Sequence, residues 1–130
     1  MTQELWRLDA TQTAAAVRAG EVTARQVAES HLSRLAAVNP VLNAVVHTFA
    51  DEALAEAAAA DARQRAGVPT GPLHGVPVTI KITADQRGQP TDNGASLFRH
   101  FVAAEDSEVV ARLRRAGAVI IGRTNSPAFA

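Results

Sequence analysis

The chain of 130 residues is long enough for one domain, and its 47% hydrophobic and 20% charged residues exclude a disordered or highly charged segment. Its 13 basic and 13 acidic side chains balance, so no net field attracts nucleic acid or an anionic membrane surface. It contains no cysteine, which excludes disulfides, thiolate metal sites and a cysteine nucleophile.

Two helices are predicted near the N-terminus. The run 9–19 has helical periodicity, and Gly20 stands where a left-handed C-cap would end it. The second helix begins at Thr23, which has capping-box spacing to Gln26, and is expected to stop at Pro40. Together the two helices predict a helical hairpin.

Strands and helices alternate in the remainder of the chain. Residues 43–49 are β-prone and predict a short strand, and the alanine-rich run 51–66 predicts a third helix. The run 75–83, GVPVTIKIT, predicts a second strand with its even-numbered residues on the apolar face. Residues 1–40 are therefore assigned to the hairpin, and residues 41–130 to the start of an α/β core within one partial domain.

The last part of the chain combines an irregular segment, a helix and a strand. Residues 84–104 have no clear period and predict a long loop, after which Asp106 is expected to cap a helix ending near Ala116. The run 118–122, AVIIG, is apolar on both faces, as in a strand with neighbours on both sides. Because no further strand follows it in the sequence, we expect this strand to lie at an exposed edge. The chain alone should then be partly unfolded, self-associated or dependent on a partner.

The order of these elements predicts the fold class. Strand, helix and strand in succession are typical of an α/β protein with a mixed sheet flanked by helices. The unmatched final strand predicts that this fold is incomplete.

Lys81 is the residue whose position suggests chemistry. It stands late in an apolar strand and just before the irregular loop, and α/β proteins build their sites at the ends of strands. From placement alone, a solvated lysine at the edge of a strand is the more common outcome. The motifs around Lys81 are needed to decide between the two.

Those motifs resemble the amidase-signature family. Three ordered segments between Gly71 and Ala130 carry the resemblance: GPLHGVPVTIK, QPTDNGAS and DSEVVARLRRAGAVIIGRTNSPAFA. The preceding helices, ending in AAVNPVLNAVV, are similar to that family's N-terminal region but are less specific. The resemblance implies the N-terminal part of the amidase-signature fold, in which Lys81 matches the catalytic lysine.

The resemblance also implies a reaction. In that family the lysine acts with two serines, one in a cis peptide and one that attacks the amide. A serine hydroxyl needs an adjacent base, and a lysine can serve once burial disfavours its charged form. The expected activity is hydrolysis of a carboxamide C–N bond by a Ser-cisSer-Lys mechanism, with Lys81 as catalytic residue and no metal or organic cofactor.

The serines of that mechanism belong to a glycine- and serine-rich segment downstream of the TN motif, which Thr124 and Asn125 match. The chain contains no such segment. Its five serines are Ser30, Ser33, Ser96, Ser107 and Ser126. None of them is assigned as the nucleophile. The 130 residues alone are therefore expected to be inactive, because a base without its nucleophile has nothing to deprotonate.

The expected partner of the complete enzyme is a small-molecule amide. Neither nucleic acid nor a membrane is expected to bind, whereas association with a second copy or with a missing C-terminal portion is expected. Ile82 directly after the lysine, together with TDNGAS, departs from the commoner family pattern and favours a stand-alone amidase over the glutamyl-tRNA amidotransferase branch. The competing hypothesis is a non-catalytic truncated product that serves as a subunit or interaction module.

Two further predictions come from features that the sequence lacks. The four histidines are too scattered to indicate a metal site. The N-terminal residues show no basic segment followed by an apolar run, and no apolar stretch reaches the ~18 residues of a membrane span. We therefore predict a cytoplasmic location.

Overall fold

The structure is a computed structural model that describes residues 4–130. Residues 1–3 lie outside the described residues. They belong to the N-terminal segment that was considered for a signal peptide and to the predicted hairpin of residues 1–40. The helices are α1 (Ala10–Ala19), α2 (Ala24–Leu42), α3 (Ala50–Arg65) and α4 (Glu108–Arg115). The strands are β1 (Val45–Thr48), β2 (Pro77–Lys81) and β3 (Val119–Thr124). Short 3-10 helices occur at Leu5–Arg7 and Ser96–Phe98.

The first two helices both begin at capping boxes, of which the sequence predicts the one at Thr23. The Thr23 hydroxyl accepts from the backbone N–H of Gln26 at 3.0 Å, and the Gln26 side chain accepts from the N–H of Thr23 at 2.9 Å. Asp9 and Gln12 form the same pair at the start of α1. Gly20 ends α1 in the left-handed conformation with φ of 73°, which confirms the predicted cap.

The predicted end of α2 is wrong, because the helix continues through Pro40 to Leu42. A proline this close to the C-terminus removes one N–H from a helix that is about to end. The stop is provided instead by Asn43, which is left-handed with φ of 49° and whose N–H bonds the Asn39 carbonyl. The Asn39 side chain also holds β1, since it exchanges two hydrogen bonds with the backbone of Val45, at 2.8 and 2.9 Å.

The predicted cap of α4 is also wrong. Ser107 occupies the N-cap position, one residue after Asp106. The Asp106 carboxylate has other partners, because it accepts from the backbone N–H of Arg87 at 2.8 Å and from the Arg114 guanidinium at 2.9 Å. Arg87 is 19 residues from Asp106 and Arg114 is eight, so the spacing of a helix cap gives no sign of either bond.

The three strands form one mixed sheet in the order β1-β3-β2. Strand β3 is central, antiparallel to β1 and parallel to β2. The expectation that this strand lies at an exposed edge is therefore wrong, and the instability inferred from it loses its basis. Residues 118–123 are all buried, because β1 returns from early in the chain to pair with the far side of β3.

Both faces of the sheet are covered by helices. Val119 and Ile121 pack with apolar residues of α1, α2 and α3, so the main core joins both sides of the predicted boundary at residue 40. On the other face, Ile80 and Ile120 pack with Val110 of α4. The mixed α/β fold class is confirmed. No helix among residues 4–130 combines the length and apolarity needed to cross a membrane.

Candidate functional site

Lys81 is the last residue of β2 and is exposed, whereas its neighbours Ile80 and Ile82 are buried. This is the alternation predicted for the strand. In the parallel ladder Lys81 lies in register with Thr124, and the backbone N–H of Ile82 bonds the Thr124 carbonyl at 3.0 Å. The Lys81 carbonyl accepts from the N–H of Ala84 at 2.9 Å, where the chain turns away from the sheet. The lysine thus lies at the carboxyl end of two parallel strands, the usual location of α/β sites.

Lys81 is also the only lysine of the sequence, since every other member of the 13 lysine and arginine residues is an arginine. The two side chains differ in one property that matters for catalysis. Arginine keeps its proton under all conditions that a folded protein meets, whereas lysine can lose its proton and then accept one. Lys81 is therefore the single basic side chain of this class able to act as a proton acceptor.

The three motif segments meet at this end of the sheet. A β-carbon on Gly94, in the TDNGAS segment, would lie 2.3 Å from the Ser126 carbonyl oxygen, so this contact requires glycine. The N–H of Phe129 bonds the Asn93 carbonyl at 2.8 Å, and the rings of Phe98 and Phe129 meet edge to face with centroids 5.9 Å apart. The loop after β2 and the segment after β3 are thus packed together beside the end of the Lys81 strand.

The first part of the predicted long loop is bonded by one side chain, Arg123 of β3, which is completely buried. Its guanidinium donates to four oxygens: the Gln86 side chain and the carbonyls of Ile82, Ala84 and Pro90. Burial lowers the pKa of Arg123, and the carboxylates of Asp85 and Asp92 oppose that effect. Sequence reasoning missed this residue. The available signal was a charged residue directly following the buried run AVIIG.

The serines have separate local environments. The Ser30 hydroxyl accepts from the backbone N–H of Trp6 at 3.2 Å. Ser107 occupies the N-cap position of α4, but its buried hydroxyl has no hydrogen-bond partner among the described residues. Ser126 follows the TN motif, and its hydroxyl donates to the Pro127 carbonyl at 3.0 Å. Ser96 opens the short 3-10 helix, and Ser33 lines a groove beside Trp6. None of these contacts joins a serine to Lys81.

The histidines show no common site. His74 is buried and its Nε2 lies 3.1 Å from the Ala60 carbonyl, while His31 Nδ1 lies 2.9 Å from the Val27 carbonyl. Within the part of the chain that the structure describes, no group of three or more histidine, aspartate or glutamate side chains could hold a metal ion. The absence of a cofactor remains a prediction from the sequence.

Comparison with known proteins gives a consistent picture. A family model described as Amidase matches residues 26–130. An indoleacetamide hydrolase of Bradyrhizobium diazoefficiens is 46% identical over 125 residues, which cover 96% of this chain and 24% of that protein. A glutamyl-tRNA(Gln) amidotransferase subunit of Acidothermus cellulolyticus is 42% identical over 127 residues, covering 98% of this chain and 25% of that protein.

A solved structure matches at the level of the fold. The crystal structure of a bacterial aryl acylamidase of the amidase signature family has a TM-score of 0.88 and 30% identity, covering 94% of this chain and 26% of that one. The chain thus spans about a quarter of the length of the relatives that it matches. It has the fold of that quarter.

Proposed function

The chain belongs to the amidase-signature family, and on that premise we propose that it carries the catalytic lysine of a hydrolase that cleaves carboxamide C–N bonds. The observation that carries the proposal is the position of Lys81. The only lysine of the sequence stands at the carboxyl end of β2, in register with Thr124 of the TN motif. This position within the matched region supports Lys81 as the base of a Ser-cisSer-Lys mechanism.

In the proposed mechanism the Lys81 side chain accepts the proton of the cis-peptide serine. That serine in turn accepts the proton of the nucleophilic serine, whose oxygen attacks the amide carbonyl. Backbone N–H groups of the glycine-rich turn stabilise the negative oxygen of the tetrahedral intermediate. The amine leaves with a proton, and water then releases the carboxylate. Both serines and that turn lie in the family's downstream segment, so the residues of this chain supply only the base.

The substrate class follows from the relatives. We propose an aromatic carboxamide as the first substrate to test, because the relative at 46% identity is an indoleacetamide hydrolase and the solved structure is an aryl acylamidase. Ile82 and the TDNGAS segment support a stand-alone amidase, although the amidotransferase relative is 42% identical. We further propose a cytoplasmic enzyme whose serine-bearing portion docks on this chain.

A chimera tests the proposal. All 130 residues would replace the matching quarter of the indoleacetamide hydrolase, and hydrolysis of indoleacetamide would be followed by ammonia release. We expect activity, and we expect Lys81→Ala to lower kcat by several orders of magnitude with the fold intact. Lys81→Arg should be equally inactive, because it keeps the positive charge but cannot accept a proton.

The matched control is Arg112→Ala, because the Arg112 side chain is 74% exposed and its ion pair lies on the surface of α4. This variant should keep the activity of the chimera. Near-full activity of Lys81→Ala would show that the lysine is structural. A folded chimera without activity would count against the hydrolase and favour the non-catalytic interaction module.

A further inference from the structure

Arg123 is an unusual side chain for the centre of a sheet. Its exposed fraction is 0%, yet the oxygens that its guanidinium contacts all belong to neutral groups. Its Nε–H has no hydrogen-bond partner among the described residues. A buried charge is costly unless it is well bonded, and a hydrophobic residue of similar volume is often as stable or more stable at such a position. Stability of the core is therefore a weak explanation for an arginine here.

The four acceptors have one property in common, since they lie between Ile82 and Pro90, the segment that leaves the strand of Lys81. One terminal nitrogen, Nη2, donates to the carbonyls of Ile82 at 3.2 Å, Ala84 at 3.0 Å and Pro90 at 2.9 Å. The other, Nη1, donates to the Gln86 side chain at 3.2 Å. The guanidinium thus bonds both the beginning and the end of the 82–90 turn to one side chain of β3.

The backbone of the lysine is held on one side by the sheet and on the other by that turn. Toward the sheet, Lys81 is held in register with Thr124, the residue that follows Arg123. Toward the loop, its carbonyl is bonded by the N–H of Ala84, whose own carbonyl accepts from Arg123. The direction in which the Lys81 side chain leaves the sheet depends on this arrangement.

We infer that Arg123 is a positioning residue for Lys81, an assignment that rests on the proposed role of Lys81 as the base. It acts through the 82–90 turn and does not contact the substrate. A base must come within about 2.6–3.2 Å of the proton that it accepts, and a displacement of about 1 Å can lower a rate about 100-fold. The planar, multidentate guanidinium is suited to holding several acceptors at fixed angles, whereas an ammonium group is not.

The test uses the chimera with Arg123→Met, which keeps similar bulk but removes all five donors, and with Arg123→Lys, which keeps the charge. Arg112→Met, at an exposed position, is the matched control. We expect Arg123→Met to lower kcat per folded molecule about 100-fold with KM changed less than about twofold, and Arg123→Lys to restore only part of the rate. A purely structural role would lower the folded fraction and leave kcat per folded molecule unchanged.

A second measurement covers the case in which Arg123→Met fails to fold. Gln86→Met removes one acceptor with a side chain of similar length, and we expect kcat to fall about tenfold with KM unchanged. In the 130-residue chain carrying this change, amide hydrogen exchange should accelerate at Ile82 and Ala84 but not at Ile120.

The outcomes separate the two proposals. If Lys81→Ala retains activity, the proposed function fails, whatever Arg123 does. Suppose instead that Lys81→Ala is inactive but folded Arg123→Met has the kcat of the unmodified chimera. Only the positioning role of Arg123 is then refuted. Where Arg123→Met does not fold, an unchanged kcat of Gln86→Met refutes that role in the same way.

Discussion

Replacing Val110 by alanine tests how α4 supports the strand of the candidate base. Val110 has an exposed fraction of 0% and packs against Ile80 and Ile120, directly beneath the end of β2. Its neighbour Val109 lies on the same helix with an exposed fraction of 63%. The two residues are chemically identical and adjacent, so Val109→Ala is a matched control in which only burial differs.

The expected magnitude follows from the atoms removed. Losing two carbons from the core costs about 1.6 kcal/mol, at about 0.8 kcal/mol for each CH₂. Incomplete collapse of the resulting cavity brings the total loss of unfolding free energy to about 2–3 kcal/mol. At the exposed position the smaller loss of contact is offset by the better helix propensity of alanine, so Val109→Ala should change the stability by less than about 0.5 kcal/mol.

Urea unfolding of the 130-residue chain measures both variants. Circular dichroism reports the helices, and the single tryptophan, Trp6, reports the N-terminal region, where the guanidinium groups of Arg7 and Arg34 lie over its ring. Coincident transitions with equal slopes would justify a two-state analysis. For a chain of this size we expect the melting temperature of Val110→Ala to fall by about 8–10 °C. Equal stability of the two variants would refute the packing of α4 against the sheet.

Three further outcomes are expected. The 130-residue chain alone should not hydrolyse simple carboxamides, and turnover that Lys81→Ala abolishes would contradict this. Gly122→Ala should lower the free energy of unfolding, measured in urea, by about 2 kcal/mol or more, because its β-carbon would lie 2.6 Å from the His47 carbonyl oxygen. The control Gly88→Ala has open space around its β-carbon, so only its positive φ should lower the free energy of unfolding, by about 1 kcal/mol. Glu108 accepts hydrogen bonds from two arginines of α4, and these bonds lower its pKa. The stability that they contribute should be fully present at pH values above the ordinary glutamate pKa, and should be lost as the pH falls through the lowered pKa. Glu108→Gln should remove this part of the pH dependence, and an unchanged acid limb in urea titrations would contradict the assignment.

Local features of the fold were predictable from the sequence, and distant pairings were not. The capping box at Thr23 and the left-handed Gly20 depend on residues within four positions, and both are as predicted. The predicted end of α2 was wrong because the left-handed residue that stops the helix is Asn43 and not Pro40. The predicted cap of α4 was wrong because the Asp106 carboxylate bonds Arg87, a partner 19 residues away. The prediction that β3 lies at an exposed edge was wrong because its partner β1 comes from early in the chain.

The candidate site shows the same division. Motif resemblance singled out Lys81 as the candidate base, and that role stays a prediction. Its alternation with Ile80 and Ile82 was visible in the strand pattern. Arg123 could not be assigned a role, because the oxygens that it binds are mostly backbone carbonyls, which every residue possesses. A sequence shows a side-chain donor, but only a folded backbone shows where the acceptors converge.

The strand order has a consequence for how the protein is made. Among the described residues β1 does not pair with β2, the next strand along the chain. Both strands pair with β3, the last of the three. The ladder that pairs Val45 with Thr124 cannot form until β3 is present, and neither can the ladder that pairs Pro77 with Val119. Contacts this distant in sequence slow folding, since the intervening chain must be ordered first. While the polypeptide emerges from the ribosome, β1 and β2 remain without strand partners until residues 119–124 have been synthesised. We therefore expect the unpaired edges of β1 and β2 in the nascent chain to be open to chaperones and proteases until β3 has been synthesised.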